Sequence, residues 1–242
     1  MIKSILYLLG YELIKKKESP SLSAHLQQII EFYEINLVID VGANNGQFGR
    51  LIRKIGYKGD ILSFEPVRSS FEKLRENSAN DKRWRQIKLA LGNKKGTEII
   101  NVFDSTDFSS ILDPNEFGKQ TFKQIRTSQK ETIEIDTLDN ILANDMHLKT
   151  RKIFLKMDTQ GYDLNVFNGA KNSVNSIVAI LSEISFLPIY EGMPDYHQVL
   201  KEFEANGFVV TGLFPVTRNK NLSIIEMDGV LINKQYAQIS IL

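Results

Sequence analysis

A chain of 242 residues with 42% hydrophobic content can fill one sizeable core, which sets aside intrinsic disorder. Lysine plus arginine number 30 against 29 aspartate plus glutamate, so there is no bulk positive field for nucleic acid, and none is expected as a partner. The absence of cysteine removes disulfides, thiolate nucleophiles and cysteine-ligated zinc together, and leaves the cytoplasm as the simplest compartment.

The chain opens with MIKSILYLLGYELIKKKE, in which Ile2, Ile5, Leu6, Leu9 and Leu13 recur at helical spacing ahead of Lys15, Lys16 and Lys17. The stretch is too short and interrupted to span a bilayer, and its charges follow the apolar part, unlike those of a signal peptide. Two readings stand: a stripe packed on the domain, or a basic amphipathic helix making peripheral contact with a membrane. Residues 1–36 are therefore read as an N-terminal helical extension and residues 37–242 as the main domain.

From Leu37 onward, short apolar runs alternate with helical periodicity. Leu37 to Val41 reads as a strand, and Phe48, Leu51, Ile52 and Ile55 then recur as one face of a helix. Asp60 to Phe64 is a second strand, Ser69 to Glu76 a second helix, and Gln86 to Leu91 a third strand. Thr97 to Phe103 and Glu131 to Ile135 alternate apolar with polar residues, as half-buried strands do, and flank a polar insertion at Ser105 to Ser128. Lys152 to Met157 is a further buried strand that stops at Asp158. A helix through Leu164, Phe167 and Ala170 follows, then the apolar run Ile177 to Ile184. Val199, Leu200 and Phe203 mark a late helix that Asn206 and Gly207 terminate. Phe208 to Phe214 and Gly229 to Asn233 close the chain with no helix between them, as a terminal hairpin. The alternation predicts an α/β fold, a mostly parallel sheet with helices on both faces.

In such a sheet ligands sit outside the carboxyl ends of the strands, where polarity here collects at Asp40 to Gly46, Glu65, Leu91 to Asn93, Asp158 and Glu183. The dinucleotide fingerprint G-x-G-x-x-G needs a second glycine so that backbone can approach a pyrophosphate. LVIDVGANNG has Asn44 at that place, which disfavours a diphosphate. The spacing of Gly42 and Gly46 suits a nucleoside bound beside the turn, and Glu65 can accept from both hydroxyls of a ribose. An adenosine-type ligand without phosphates meets both conditions, and S-adenosylmethionine is one.

VIDVGANNGQFG, SFEPVRSSFEKL, LALGNKKG, DTLDNIL, IFLKMDTQGYDLNVFNGA and LSEISFLPIYEG, in that order, resemble the successive motifs of the FkbM-type class I methyltransferases. The resemblance runs from about Leu37 to Asn233. It implies a Rossmann-like seven-stranded sheet whose last pair is antiparallel, and S-adenosylmethionine as cofactor. It would put Asp40, Gly42, Asn44 and Gly46 around the methionine part and ribose, and Glu65 on the ribose hydroxyls. Family members mostly methylate hydroxyls of sugars or secondary metabolites, so the implied activity is O-methylation of a small-molecule or glycan acceptor. Residues 1–36 and the insertion lie outside the resemblance.

Each candidate also has a plainer reading. Asp40 would hold its turn by accepting backbone N–H groups. Asp158 is either an N-cap or a group beside the acceptor. Glu183 interrupts an apolar run, where a carboxylate without a task is costly. These two, with His197, are the base candidates, although the place of His197 at a helix start also reads as surface or capping. Lys156 either extends to solvent or pairs with an acid, Trp84 is a packing residue, and Asp228 either faces the pocket or, as the safer reading, is a turn residue. Removing the acceptor proton would add roughly 10²–10⁴-fold to the rate. A version in which Asp158, Glu183 and Asp228 converge on Mg²⁺ stays open, though no metal is the expectation. Two rivals remain: a nucleotide-dependent oxidoreductase, which Asn44 and the lack of a Tyr-x-x-x-Lys pair weaken, and a non-catalytic partner-binding domain, which the glycines and acids weaken.

Overall fold

The computed structural model describes residues 6–11, 14, 21–125, 128–145, 147–148 and 151–237. In chain order the first elements are α1 (Leu22–Phe32), β1 (Leu37–Val41), α2 (Gln47–Lys54), β2 (Asp60–Phe64), α3 (Arg68–Ser78), β3 (Trp84–Ile87), β4 (Ala90–Leu91) and β5 (Gly96–Phe103). Then follow α4 (Glu116–Thr121), β6 (Ser128–Asp136), α5 (Leu138–Ala143), β7 (Ile153–Met157), α6 (Asp163–Asn168), β8 (Ile177–Ser185), α7 (Tyr196–Ala205), β9 (Phe208–Arg218) and β10 (Ile224–Asn233).

The main sheet has seven strands in the order β3-β2-β1-β7-β8-β10-β9, and only β10 runs against its neighbours. The predicted mixed sheet with an antiparallel terminal hairpin is therefore the observed one. β1 and β7 are buried along their whole length, which is why both read as continuous apolar runs rather than alternating ones. One face is covered by Leu138, Phe167 and Phe203 of α5, α6 and α7, and the other by Ile29, Ile52 and Leu74 of α1, α2 and α3. The chain winds outward from β1 to β3 and then restarts beside β1 with β7. That reversal makes the carboxyl ends of β1 and β7 the switch point of the fold.

Three details depart from the sequence reading. The strand expected at Gln86 to Leu91 is split: β3 stays in the main sheet, and β4 joins β5 and β6 in a separate three-stranded sheet. The insertion forms the tip of the β5–β6 hairpin, with a 3-10 turn at Thr106–Phe108 and the short helix α4. It packs Phe108, Leu112, Phe117 and Phe122 against Ile189 and Tyr190. Finally, α1 lies inside the stretch read as an extension, yet Ser21 caps it and Leu26, Ile29 and Ile30 enter the core beside Val38 and Phe154. Residues 6–8 are helical, and Tyr7, Leu8, Leu9 and Tyr11 are exposed; Ile2, Ile5, Leu13 and the three lysines fall outside the described residues. Among the described residues no helix is long and apolar enough to cross a membrane.

Because Leu26 is fully buried at the centre of the α1 contact, Leu26→Ala should lower unfolding stability by about 2–5 kcal/mol in urea titrations. A loss below roughly 1 kcal/mol would show that α1 is not part of the domain's core.

Candidate active site

Parallel pairing sets Asp40 of β1 opposite both Ser63 of β2 and Lys156 of β7, so three polar side chains share one level of the sheet. All are buried. Lys156 Nζ lies 3.0 Å from Asp40 Oδ1, donates to the Gly42 carbonyl at 3.0 Å, and sits 5.6 Å from the centre of the Phe48 ring. Asp40 Oδ2 accepts from Ser63 Oγ at 3.2 Å, and Ser63 Oγ accepts from the Trp84 indole at 3.0 Å. A polar row thus crosses four strands just beneath the switch point. Burial alone would lower the Lys156 pKa, but the adjacent charges of Asp40 and Asp158 outweigh it and hold the ammonium above its ordinary value.

The turn above this row needs its glycines for packing. Gly42 has φ +71°, and a Cβ there would meet the Asp158 carbonyl. A Cβ on Gly46 or Gly49 would run into the Trp84 ring, so these positions make room for the indole that ends the polar row. Asn44 occupies a left-handed conformation (φ 45°). Its backbone N–H donates to Glu65 Oε2 at 2.8 Å while Val67 N–H donates to Glu65 Oε1 at 2.8 Å. Glu65 is thereby fixed at the end of β2 in the wall of the cavity. Burial pushes its pKa up to about 7 despite these two donors.

The cavity occupies about 480 Å³ over the ends of β1, β2 and β7 and extends toward β8 and β10. Asp158, Glu183, Glu226 and Asp228 line its far side. Gln160 Nε2 donates to Asp158 Oδ1 at 3.1 Å and to Glu183 Oε2 at 2.9 Å. Burial first, then the charges of Asp158, Glu226, Asp163 and Asp228, raise Glu183 well above the carboxylate range. The same causes, burial leading, bring Glu226 to about 7 and Asp228 to about 6. The insertion roofs the opposite end: Asn44 Nδ2 and Gln47 Nε2 donate to Asp107 Oδ1 at 2.7 and 3.2 Å, and Thr106 Oγ1 donates to Asn44 Oδ1 at 3.1 Å.

Of the residues singled out from sequence, Gly42, Asn44, Glu65, Asp158 and Glu183 line this cavity. Gly46 stands behind it against Leu74 and Trp84. Asp40 is fully buried below the turn and is held by the side chains of Lys156 and Ser63, where the sequence reading expected backbone N–H donors. His197 is exposed on the first turn of α7, tilted against the Tyr196 ring and outside the cavity, because Tyr196 and Val199 take the inward face of that helix and leave His197 on the outward one. Asp158 caps no helix, since α6 starts only at Asp163. Asp228 is not a turn residue: β10 begins four residues before it and pairs it with Glu183. Among the described residues no three His, Cys, Asp or Glu side chains are arranged to hold a metal ion. Sequence reading passed over Glu226, whose only signal is an acid amid the apolar run of β10, and Gln160, which the motif LKMDTQGYD contains.

Fold and site define a Rossmann-like α/β domain with its cavity at the switch point. Residues 40–210 match the methyltransferase FkbM domain, and the chain belongs to the FkbM methyltransferase family. The 2-O-methyltransferase NoeI of Sinorhizobium fredii is 23% identical over 193 residues, 76% of this chain and 78% of that protein. Methyltransferase sdnD of Sordaria araneosa is 26% identical over 167 residues, 60% of this chain and 64% of that one. The crystal structure of methyltransferase FkbM from Methylobacillus flagellatus aligns with a TM-score of 0.49 and 14% identity, over 82% of this chain and 44% of that one. This chain thus spans under half the length of that structure's chain.

Glu65, Glu226 and Asp228 bind protons more tightly folded than unfolded, so they stabilise the ligand-free protein below about pH 4 and lose that contribution as pH rises through 6 to 7. Thermal melts should therefore fall between pH 5 and pH 8, and Glu65→Gln should reduce the fall. A melting temperature that climbs over that interval would contradict the assignment.

Proposed function

We propose that this protein is an S-adenosylmethionine-dependent O-methyltransferase acting on a hydroxyl of a sugar, glycan or secondary metabolite. The observation that carries the reading is Glu65, a carboxylate held by two backbone N–H groups at the end of β2, in the wall of a switch-point cavity. A ribose presents two adjacent hydroxyl donors, and a fixed carboxylate complements them. The cavity volume of about 480 Å³ is of cofactor size, and Val67, Leu89 and Leu91 add an apolar wall for a flat base.

Charge decides between cofactors. Glu65, Asp107, Asp158, Glu183, Glu226 and Asp228 all line the cavity, and the one lysine among the lining, Lys156, is already held by Asp40 and Gly42. Such a lining attracts a sulfonium and repels a pyrophosphate, which weighs against a nicotinamide-dependent oxidoreductase. When bound, S-adenosylmethionine supplies an activated methyl group for in-line displacement.

The chain's own part is to fix the acceptor and receive its proton. Asp158 and Glu183 face the cavity side by side, and burial among other acids gives Glu183 a proton affinity far above that of a solvated carboxylate, as a base for a hydroxyl requires. The apolar and insertion-derived walls exclude water from the transfer. The similarity to NoeI, a 2-O-methyltransferase, supports oxygen as the atom methylated.

Calorimetry should show S-adenosylmethionine and its demethylated product binding far more tightly than NAD. Ribose hydroxyls favour the ionised form of Glu65, so affinity should rise as pH climbs through about 7. Glu65→Gln should weaken binding at pH 8 by about tenfold or more, the equivalent of one lost charge-assisted bond, and flatten the pH dependence. Equal affinity in the variant would place the ribose elsewhere, and tight NAD binding alone would overturn the reading.

A further inference from the structure

Gln160 stands in a costly conformation. Its φ of 52° is left-handed, and Gly161 after it has φ 91°. An L side chain is strained there relative to the right-handed region, a strain that glycine would avoid. The side chain is nevertheless buried and fully engaged. Its amide nitrogen donates to Asp158 Oδ1 and Glu183 Oε2, and its amide oxygen lies 3.1 Å from the Tyr190 hydroxyl. That hydroxyl's one proton is shared between the Gln160 amide oxygen and the Phe108 carbonyl, the latter 2.7 Å away, and the Gln160 carbonyl accepts from Ser110 Oγ at 2.7 Å. The amide therefore has one allowed orientation, because a flip would turn its oxygen toward two carboxylates.

The neighbouring Asp163 fixes Glu183 from the other end, accepting from Ser182 Oγ at 2.7 Å and from Glu183 N–H at 3.3 Å. The side chain of Glu183 is thus held from the loop between β7 and α6, and its main chain from the first residue of α6. Resting on the reading of this cavity as the methyl-transfer site, we infer that Gln160 is its positioning residue, holding the Asp158 and Glu183 carboxylates together at the acceptor end and keying them to the insertion through Tyr190, Phe108 and Ser110. Without that donor, two carboxylates repel across the gap and the acceptor would meet a base of undefined direction.

The groups that face Glu183 are Asp158 and Lys156 from the end of β7, Asp163 from α6, Glu226 and Asp228 from β10, and Tyr190 from the loop after β8. Gln160 is the neutral donor set among these charges. A donor to the ionised carboxylate lowers its pKa, so removing Gln160 must raise that of Glu183.

The test is a carbon-13 NMR titration of the glutamate side-chain carboxyls. It is run in EDTA on the full chain with S-adenosylhomocysteine added, and Glu183 is assigned from Glu183→Gln. Gln160→Ala should move the Glu183 midpoint up by about one pH unit or more, the equivalent of one charge-assisted bond, with product affinity within about threefold of wild type. Tyr190→Phe, which keeps Gln160 but frees its amide, should give a smaller upward shift, and it decides the matter if Gln160→Ala does not fold. A lower melting temperature with an unmoved Glu183 midpoint in both variants would reduce Gln160 to a structural role and overturn the inference. If wild type fails to bind S-adenosylhomocysteine, the cofactor reading fails separately, and the two titrations still decide what Gln160 does.

Discussion

An ammonium and a carboxylate withdrawn from water together, Lys156 and Asp40, brace the two central strands at the level where the cavity begins. Each charge alone would cost several kcal/mol to bury, and the pair is tolerable because the remaining polar atoms are also met. Lys156 reaches the Gly42 carbonyl and Asp40 reaches Ser63, so the pair ties turn, β1, β2 and β7 into one unit. Trp84 extends the row to β3, and the space its ring needs accounts for Gly46 and Gly49. The flexible-looking turn is, in this structure, tightly specified from below.

That rigidity has a functional consequence. With Gly42 pressed on the Asp158 carbonyl and Asn44 bound to Glu65, the two ends of the cavity are set by one packed layer. Glu65 at one end and the Asp158 and Glu183 pair at the other therefore keep a fixed separation, which the proposed in-line transfer would demand. The insertion adds the roof through Asp107 and Thr106, and at the acceptor end its main chain, at Phe108, is joined to the Tyr190 hydroxyl.

The places of the strands along the chain were legible because buried parallel strands are short apolar runs, and the periods of Phe48 to Ile55 and Val199 to Phe203 gave two helices directly. Glu65, Asp158 and Glu183 were legible because strand ends are where such folds place polarity. What escaped was non-local. Nothing in IFLKM says that Lys156 meets an acid 116 residues earlier rather than solvent, and the antiparallel register of β10 on β8 that brings Asp228 opposite Glu183 joins residues far apart in sequence. α1 was missed as an integral helix because its stripe is short and follows a more conspicuous apolar segment. The His197 side chain reads as chemistry in isolation, but the inward packing of Tyr196 and Val199 on that helix decides that it faces out.

Lys156 and Asp40 should hold the turn as a coupled pair, and a double-mutant cycle in urea unfolding measures that coupling directly. Asp40→Asn and Lys156→Met should each lose about 3–5 kcal/mol, since each strands a buried partner, while the double variant should lose at least about 1 kcal/mol less than the sum. Losses that add to within about 0.5 kcal/mol would contradict it, showing that the two charges do not support one another and that the turn is held by other contacts.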